Sequence, residues 1–317
     1  MRSCKYPFPK LANPTVLSPM AGVTDVAFRA LCKKYGAGLT VTEFTSAAAI
    51  VRGNEKTEKM LQTDPSEKPV AVQLFGASED EVVAAAQQIQ HRFDSIDINC
   101  GCPAWKVVRC GAGSALLEDE NKIHGFVARL VDQTNVPITV KIRTGINASK
   151  INAMRVARVV EEAGASAIAV HGRTQSQGYT GTADWNIIKQ VKESVGIPVI
   201  GNGDVFTPET FKQRLDESGV DAIMVARGAI GKPYLFWQIN QYLKSGSYDE
   251  QTPQKQLEIF YEYLALAKKY DISFSAIKIH AQSFTSGISG AAKLRAQIVS
   301  LKSPEELRLA IEGLLVN

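Results

Sequence analysis

The sequence predicts a (β/α)8 TIM barrel over residues 1–243, followed by a small C-terminal all-α helical domain over residues 244–317. Eight short apolar runs, rich in β-branched residues, alternate with longer segments whose apolar positions recur at helical spacing. The runs are almost continuously apolar, which is typical of parallel strands covered by helices. After residue 244 only helical patterns follow. These observations favour one barrel and a helical extension.

The predicted strands are separated by amphipathic segments long enough to hold one helix each, as parallel neighbours require. Gly, Asn or Pro often marks the ends of these segments, where helices commonly begin or end. In chain order the strands are predicted at 15–18, 39–44, 70–75, 95–99, 138–142, 167–172, 198–202 and 222–227.

The segment KSGSYDEQTPQ (244–254) is polar and rich in turn-forming residues, so it predicts a linker. The last helix is predicted to begin at Ser303-Pro304, with serine as N-cap and proline at the first helical position. An anion-binding face in this region would need local clustering of basic side chains, for example Lys278, Lys293 and Arg295.

Composition bounds the protein class. The chain has 317 residues, of which 45% are hydrophobic, and a formal net charge of +4, which is compatible with an anionic partner without indicating nucleic acid. No apolar run approaches the roughly 20 residues of a membrane span, and the start MRSCKYPFPK lacks the apolar stretch of a signal peptide. The 5 scattered cysteines argue against a disulfide framework. We therefore expect a cytoplasmic protein.

Polar side chains recur where the predicted strands end, at the face of such barrels that carries the chemistry. Lys141 and Arg143 alternate with apolar neighbours, so both are expected to point into the barrel mouth, where two cations need an anionic or carbonyl-rich ligand. His171 alone would more often be structural, but beside Lys141 and Asn99 it indicates a site. The strand ends are SPMAG (18–22), QLFG (73–76), NCGCP (99–103), KIR (141–143), HGR (171–173), NGD (202–204) and ARG (226–228).

Two glycine-rich segments, GNGDVFTPE (201–209) and ARGAIGKP (226–233), follow the last two strands and lead into helices. Backbone N–H groups and a helix N-terminus at this place commonly hold a phosphate. Glycine also forms ordinary turns, so both interpretations stay open from the pattern alone.

Cys100 and Cys102 flank one glycine in DINCGCP (97–103). A zinc site is disfavoured because no fourth Cys or His ligand lies nearby. A disulfide between the two is disfavoured by the geometry of the C-x-C spacing and by the reducing compartment expected for this protein. One thiol is expected to pack as a small hydrophobe. The other could serve as an acid, because an unperturbed thiol is mostly protonated at neutral pH. Cys102, farther from the strand, is predicted to be the exposed one.

Together these motifs resemble those of the tRNA-dihydrouridine synthases, FMN-dependent enzymes that reduce specific uridines in tRNA. The resemblance covers most of residues 15–240, and the tail segment 278–295 is similar, more loosely, to the family's RNA-binding domain. The matching segments are PMAGVTDVAFR (19–29), QLFG (73–76), DINCGCP (97–103), KVVRCGAGSALL (106–117), VKIRTG (140–145), VHGRTQSQGYTGTADW (170–185), PVIGNGD (198–204) and VDAIMVARGAIGKPYLF (220–236).

The resemblance implies roles for the matching residues. Cys102 would be the general acid, and Asn99 with Arg143 would place the uracil. Arg173 and Tyr179 would lie on the RNA side of the mouth, and Lys278 and Arg295 would contact tRNA from the helical domain. The residues implied to bind FMN are Pro19, Met20 and Ala21 along the ring, Gln73 at its polar edge, Lys141 and His171 near the pyrimidine end, and Asn202, Gly203, Asp204, Ala226, Arg227 and Gly228 at the ribityl chain and phosphate.

The implied reaction adds hydride from reduced FMN to uracil C6 and a proton from Cys102 to C5, after which NADPH or NADH recharges the flavin. No GxGxxG fingerprint follows a strand, so the nicotinamide is expected to use the same mouth. The expected partner is tRNA, with no metal and no membrane, and the protein is expected to be a monomer.

Three other functions remain open. A flavin barrel acting on a free pyrimidine, similar to dihydroorotate dehydrogenase, would explain the strands but not the tail. A phosphate-binding aldolase or isomerase would use Lys141 as a Schiff-base amine. A non-catalytic tRNA-binding module would not need Asn99, Cys102, Lys141 and His171 together.

Overall fold

The computed structural model describes residues 4–315 and contains a closed barrel of eight parallel strands. The first strand pairs with the second and with the last, which closes the sheet. The barrel strands are β1 (Thr15–Leu17), β2 (Leu39–Val41), β4 (Val70–Phe75), β5 (Ser95–Cys100), β6 (Ile138–Arg143), β9 (Ala167–His171), β10 (Val199–Asn202) and β11 (Ala222–Val225). Outside the barrel, β3 (Thr45–Ser46) extends along β4, and β7 (Gly145–Asn147) pairs with β8 (Lys150–Ile151). The predicted barrel is confirmed.

The second strand is shorter than predicted. It ends at Val41, and the chain rejoins the sheet only at Thr45. The hydroxyls of Thr42 and Thr45 both donate to the carbonyl oxygen of Glu43, at 2.9 and 3.1 Å. Such local bonds compete with the strand ladder, which explains why a β-branched run bends here.

Helices follow the barrel strands and then continue alone. Side-chain caps begin many of them; Asp25, for example, accepts from Phe28 N at the start of the first helix. The helices are α1 (Val26–Lys34), α2 (Ala47–Val51), α3 (Glu55–Met60), α4 (Glu79–Ile89), α5 (Trp105–Arg109), α6 (Glu120–Gln133), α7 (Ala153–Glu162), α8 (Trp185–Ser194), α9 (Pro208–Ser218), α10 (Leu235–Ser245), α11 (Pro253–Lys269), α12 (Phe274–Phe284), α13 (Ala291–Ile298) and α14 (Pro304–Leu315). Among the described helices, none combines the length and the hydrophobicity that a membrane span requires.

The main core lies between the outer face of the sheet and its helices. A second, smaller apolar cluster that includes Val16, Ile200 and Met224 fills the barrel interior. The strands that contribute to this cluster are β1, β2, β4, β9, β10 and β11.

The tail helices join the barrel at α1. The hydroxyl of Tyr263 donates to Asp25 Oδ2 at 3.0 Å, and His280 Nε2 lies 3.0 Å from the carbonyl oxygen of Val23. The predicted boundary at 243/244 lies in the last turn of α10, and residues 246–252 connect α10 to α11. The division into two domains stays a prediction.

Candidate active site

A cavity of about 530 Å³ opens where the barrel strands end. Most of the side chains that sequence analysis assigned to a site line it, as expected for a barrel of this type. Those lining residues are Pro19, Met20, Ala21, Gln73, Asn99, Cys102, Lys141, Arg143, His171, Tyr179, Asn202, Gly203, Asp204, Ala226, Arg227 and Gly228. Arg173, Lys278 and Arg295 are not part of the lining.

Strand register brings the polar groups together. Asn99 on β5 is aligned with Lys141 on β6, and Arg143 at the end of β6 is aligned with His171 on β9. His171 is in turn aligned with Asn202 on β10. The register therefore places Asn99 beside Lys141 in one row, and Arg143, His171 and Asn202 side by side in a second row two residues farther along the strands.

Lys141 is a half-buried cation, and within residues 4–315 its Nζ donates one hydrogen bond, to Asn202 Oδ1 at 3.2 Å. The amide of Asn202 is held by the carbonyl oxygen of Met224 at 2.8 Å, so its oxygen faces the lysine. Burial and the charge of Arg143 lower the pKa of Lys141 to about 8, and Asp97 opposes the shift. An ammonium group placed in this way is suited to an anionic or carbonyl-rich ligand.

His171 is buried and neutral at physiological pH. Burial lowers its pKa to about 2, and the charges of Lys141 and Arg143 act in the same direction. A neutral imidazole offers one donor and one acceptor to a ligand, which makes it a hydrogen-bonding group here and not a third cation.

Arg143 links two loops. Its Nε donates to the carbonyl oxygen of Gly101 at 2.9 Å, and its Nη1 donates to those of Thr174 and Gly178 at 2.7 and 2.8 Å. Its guanidinium also lies 5.8 Å from the ring centroid of Tyr179. These contacts give Arg143 a part in shaping the mouth; its predicted contact with uracil stays a prediction.

Arg173 is buried and is not among the lining residues; its predicted place on the RNA side of the mouth stays a prediction. Its side chain is 2% exposed and forms a bidentate pair with Asp204, with distances of 2.9 and 2.7 Å. It also donates to the carbonyl oxygens of Thr180 and Gly181. The side chain turns inward because the carboxylate and these carbonyl groups satisfy its donors.

Asp204 holds the loop after β10 in place. It accepts from Arg173, from Arg227 at 3.1 Å and from Ala183 N at 2.8 Å. Burial opposes the ionised form, but these donors lower the pKa of Asp204 below its usual value. Asp204 has a φ of 51°, a left-handed conformation that aspartate adopts more readily than most residues.

The two glycines beside this loop are required by packing. A Cβ at Gly203 would lie 2.5 Å from Ala183 Cβ, and one at Gly228 would lie 2.3 Å from the carbonyl oxygen of Val205. Both clashes are with protein atoms, so the close approach of neighbouring loops explains these glycines. A phosphate at the same loops stays a prediction.

The two cysteines of DINCGCP differ as predicted. Cys100 is buried, and burial raises the pKa of its thiol, whereas Cys102 is partly exposed and lines the cavity. Asn99 Oδ1 accepts from the backbone N–H of Gly101 at 3.1 Å and of Cys102 at 2.8 Å. The Ser114 hydroxyl donates to the Cys102 carbonyl oxygen at 2.9 Å, so the segment is held from two directions.

One buried carboxylate in the site was not assigned by sequence analysis. Asp97, on β5, accepts from Gln73 Nε2 at 2.7 Å and from the Thr139 hydroxyl at 2.6 Å. Gln73 Oε1 in turn accepts from Asn99 Nδ2 at 2.8 Å. The sequence did contain a signal for this carboxylate: Asp97 lies two positions before Asn99 in an apolar strand. Residues two apart in a strand share a face, so Asp97 could have been assigned to the site.

The two tail cations form contacts within the tail. Lys278 Nζ donates to the carbonyl oxygen of Val299 at 2.8 Å and lies 4.8 Å from the ring centroid of Phe274. Arg295 Nη1 donates to the carbonyl oxygen of Thr285 at 2.8 Å, at the end of α12. A direct contact of either cation with RNA stays a prediction. Within residues 4–315 no cluster of three or more His, Cys, Asp or Glu side chains could hold a metal ion.

Comparison with known proteins gives a family match over nearly the whole chain. The dihydrouridine synthase (Dus) family matches residues 16–314. The tRNA-dihydrouridine synthase B of Pseudomonas aeruginosa is 37% identical over 300 residues, which cover 93% of this chain and 90% of the relative. The probable tRNA-dihydrouridine synthase of Rickettsia conorii is 39% identical over 303 residues, which cover 93% and 91% of the two chains.

Solved structures share the barrel. An old yellow enzyme homologue from Zymomonas mobilis has a TM-score of 0.55 at 13% identity and covers 80% of this chain and 96% of its own. Morphinone reductase in complex with tetrahydroNAD has a TM-score of 0.53 at 14% identity, with 81% and 94% covered. At these identities the likeness concerns the fold.

Proposed function

Because this chain belongs to the dihydrouridine synthase (Dus) family, we propose that it reduces the 5,6 double bond of specific uridines in tRNA, as a tRNA-dihydrouridine synthase. The observation that carries the proposal is one cavity that combines the partly exposed thiol of Cys102, the cation of Lys141 and the neutral imidazole of His171. All three residues lie within the range 16–314 that the family matches.

FMN is the proposed cofactor, with NADPH or NADH as reductant. The cavity volume of about 530 Å³ lies within the range of small-molecule sites, roughly 300–1,000 Å³. Lys141 lines this cavity and donates to one acceptor among the described residues, which suits the carbonyl-rich end of a flavin ring. When bound, FMN supplies the hydride that no side chain can provide.

The chain's own residues would orient the cofactor. Met20 and its neighbours Pro19 and Ala21 offer an apolar wall, while Lys141 and His171 would bind the pyrimidine end. The residues proposed for the ribityl chain and phosphate are Asn202, Gly203, Asp204, Ala226, Arg227 and Gly228. Asp204 would act there by holding Arg227, since a carboxylate itself repels a phosphate.

Cys102 is proposed to hold the proton that goes to uracil C5. Its Sγ lies on a segment fixed by Asn99 and Ser114, so the thiol is presented to the cavity without further rearrangement. Lys141 would stabilise negative charge on a uracil or flavin oxygen during the reaction.

The rim of the cavity suits RNA with an extruded base. Trp105 is 71% exposed and follows the lining residue Ala104, and Tyr179 is 64% exposed. The guanidinium of Arg227 lies 5.1 Å from the Tyr179 ring centroid and 5.8 Å from that of Phe206. Exposed aromatic rings stack on unpaired bases and cations bind phosphates. Extruding the base costs a few kcal/mol, least in a loop.

Incubation of the purified protein with NADPH and an unmodified tRNA transcript tests the proposal. We expect one or more uridines to gain two hydrogens by mass mapping, and tRNA from cells lacking the protein to lose the same modification. Turnover of free uracil or orotate, with none on tRNA, would favour the free-pyrimidine reductase instead. A colourless protein without absorbance at about 450 nm would exclude a bound flavin.

We further propose that the protein acts as a monomer on cytoplasmic tRNA.

A further inference from the structure

We propose that Asp97 is a positioning residue, which fixes the direction of the hydrogen bonds that hold the Cys102 segment. The inference rests on the proposed function in one respect, namely that Cys102 is the acid.

The contacts form a continuous chain across three strands. Asp97 is 3% exposed and aligned with Gln73 on one side and with Thr139 on the other. The bonds run from the N–H of Cys102 to Asn99 Oδ1 (2.8 Å), from Asn99 Nδ2 to Gln73 Oε1 (2.8 Å) and from Gln73 Nε2 to Asp97 Oδ2 (2.7 Å).

The carboxylate at the end determines every bond before it. An ionised carboxylate only accepts, so Gln73 must turn its NH2 group toward Asp97 and its oxygen toward Asn99. Asn99 must then present its own NH2 to Gln73, which leaves Oδ1 for the loop. The backbone N–H groups of Gly101 and Cys102 need such an acceptor.

Without that fixed end the amides would lose their preferred direction. The oxygen and NH2 group of an amide are nearly equal in size, so sterics alone barely distinguish the two orientations. A reversed Asn99 would place NH2 against two N–H donors and release the segment that carries Cys102. Aligned hydrogen bonds also polarise one another in a buried site, so a charged terminus strengthens the whole chain.

Both Asp97 oxygens accept a hydrogen bond, Oδ2 from Gln73 and Oδ1 from Thr139, which is the pattern of an ionised carboxylate. Burial raises the pKa of Asp97, and the donors from Gln73 and Thr139, together with the nearby Lys141 cation, oppose that shift. A buried carboxylate is costly unless it is paired in this way, which is a reason to look for a role beyond packing.

The test compares Asp97→Asn with Thr139→Val in the full-length protein. Thr139→Val removes one donor and leaves both carboxylate oxygens as acceptors, whereas Asp97→Asn replaces one accepting oxygen with an NH2 donor, so only Asp97→Asn can reverse the amide chain. The first readout is the rate of Cys102 alkylation by iodoacetamide, measured by mass spectrometry against the exposed Cys4 and Cys110 of the same molecule. We expect Asp97→Asn to accelerate Cys102 alkylation about fivefold. Thr139→Val should stay within about twofold of wild type.

The second readout separates positioning from stability. In Asp97→Asn we expect tRNA reduction to fall about tenfold or more, with flavin content and NADPH oxidation retained. If Asp97→Asn fails to fold, Gln73→Met is the second variant. It removes the hydrogen bonds of Gln73 to Asp97 and Asn99, and it should reproduce the faster Cys102 alkylation. Unchanged Cys102 alkylation in a folded variant overturns the inference. Wild-type protein that never reduces tRNA overturns the proposed function instead, and the alkylation comparison still decides the role of Asp97.

Discussion

Cys100 and Cys102 show how position within one short motif decides the chemistry of a side chain. The strand ends at Cys100, whose thiol is buried, whereas Cys102 lies two residues farther at the cavity wall. Sequence reasoning could separate the two because distance from the strand end predicts exposure.

Replacing the thiol of Cys102 tests its role as the acid. We expect Cys102→Ala to keep bound flavin and NADPH oxidation but to lose at least about 100-fold in tRNA reduction, the usual contribution of a positioned acid. Product formation by mass mapping and NADPH oxidation by absorbance measure the two steps. The exposed Cys110→Ala is the matched control and should behave as wild type. Loss of flavin from Cys102→Ala would indicate a structural role for the sulfur.

Lys141 gives a pH dependence with a defined sign. Its pKa is lowered from 10.5 to about 8, so the free protein loses this charge as the pH rises through about 8. FMN bound through the cation should therefore bind about tenfold more weakly at pH 9 than at pH 7. Flavin fluorescence titration measures the affinity. Lys141→Met should bind FMN more weakly than the wild type, and equally weakly at the two pH values. Lys141→Arg should also bind FMN with equal affinity at both pH values. A dependence that persists in Lys141→Met would assign it to another group.

The two arginines mark the limit of residue-level reasoning. Alternation along a strand places Arg143 at the mouth, and the structure agrees. Its acceptors are backbone carbonyl groups of residues 101, 174 and 178, which only loop geometry brings near. The same applies to Arg173 and Asp204, which lie 31 residues apart in sequence.

At the scale of elements, strand existence could be predicted more reliably than strand ends. The eight apolar runs all form barrel strands, because burial on both faces requires continuous apolar side chains. The end of β2 could not be predicted, since Thr42 and Thr45 favour strands by composition but bond to the Glu43 carbonyl instead. Likewise, the pattern did not indicate that α5 presents an exposed tryptophan next to the cavity.

That short helix provides a test of RNA recognition. If the ring of Trp105 stacks on a base beside the target uridine, Trp105→Leu should weaken tRNA binding by about 1–3 kcal/mol while leaving flavin reduction by NADPH unchanged. Trp105→Phe, which keeps an aromatic face, should recover most of the affinity. Filter binding or fluorescence anisotropy with unmodified tRNA measures the affinity of each variant for tRNA. Equal losses in both variants would argue against stacking.

At the scale of the whole molecule, a buried ion pair ties α1 to the segment that precedes β4. Arg29 and Glu67 are fully buried, and Arg29 Nε lies 2.8 Å from Glu67 Oε2. Removing one partner of such a pair leaves an uncompensated charge. We expect Glu67→Gln to lower the free energy of unfolding by about 3–5 kcal/mol, measured as the unfolding midpoint in denaturant.

The control for this stability prediction is an exposed pair. Asp271 lies 2.9 Å from Lys59 with both side chains in solvent. Asp271→Asn should therefore leave the midpoint unchanged, because water screens exposed pairs. A similar midpoint for the two variants would contradict a special contribution from the buried pair.

Composition and periodicity do not predict how the helical tail attaches to the barrel. Helical spacing predicts its helices, but its attachment to the barrel depends on single contacts between distant residues. Tyr263 and Asp25 lie 238 residues apart, so no local sequence pattern predicts their hydrogen bond.

The attachment of His280 to Val23 has a consequence for hybrid proteins. Val23 lines the cavity together with Met20 and Ala21, so the tail is attached directly to one side of the cleft. A chimera that takes its tail from another synthase would keep the donor's tail position only if it also took Val23, Asp25 and Phe28, whose ring centroid lies 4.8 Å from that of His280. Engineers wishing to retarget such an enzyme to a different uridine should therefore exchange the first βα crossover together with the tail.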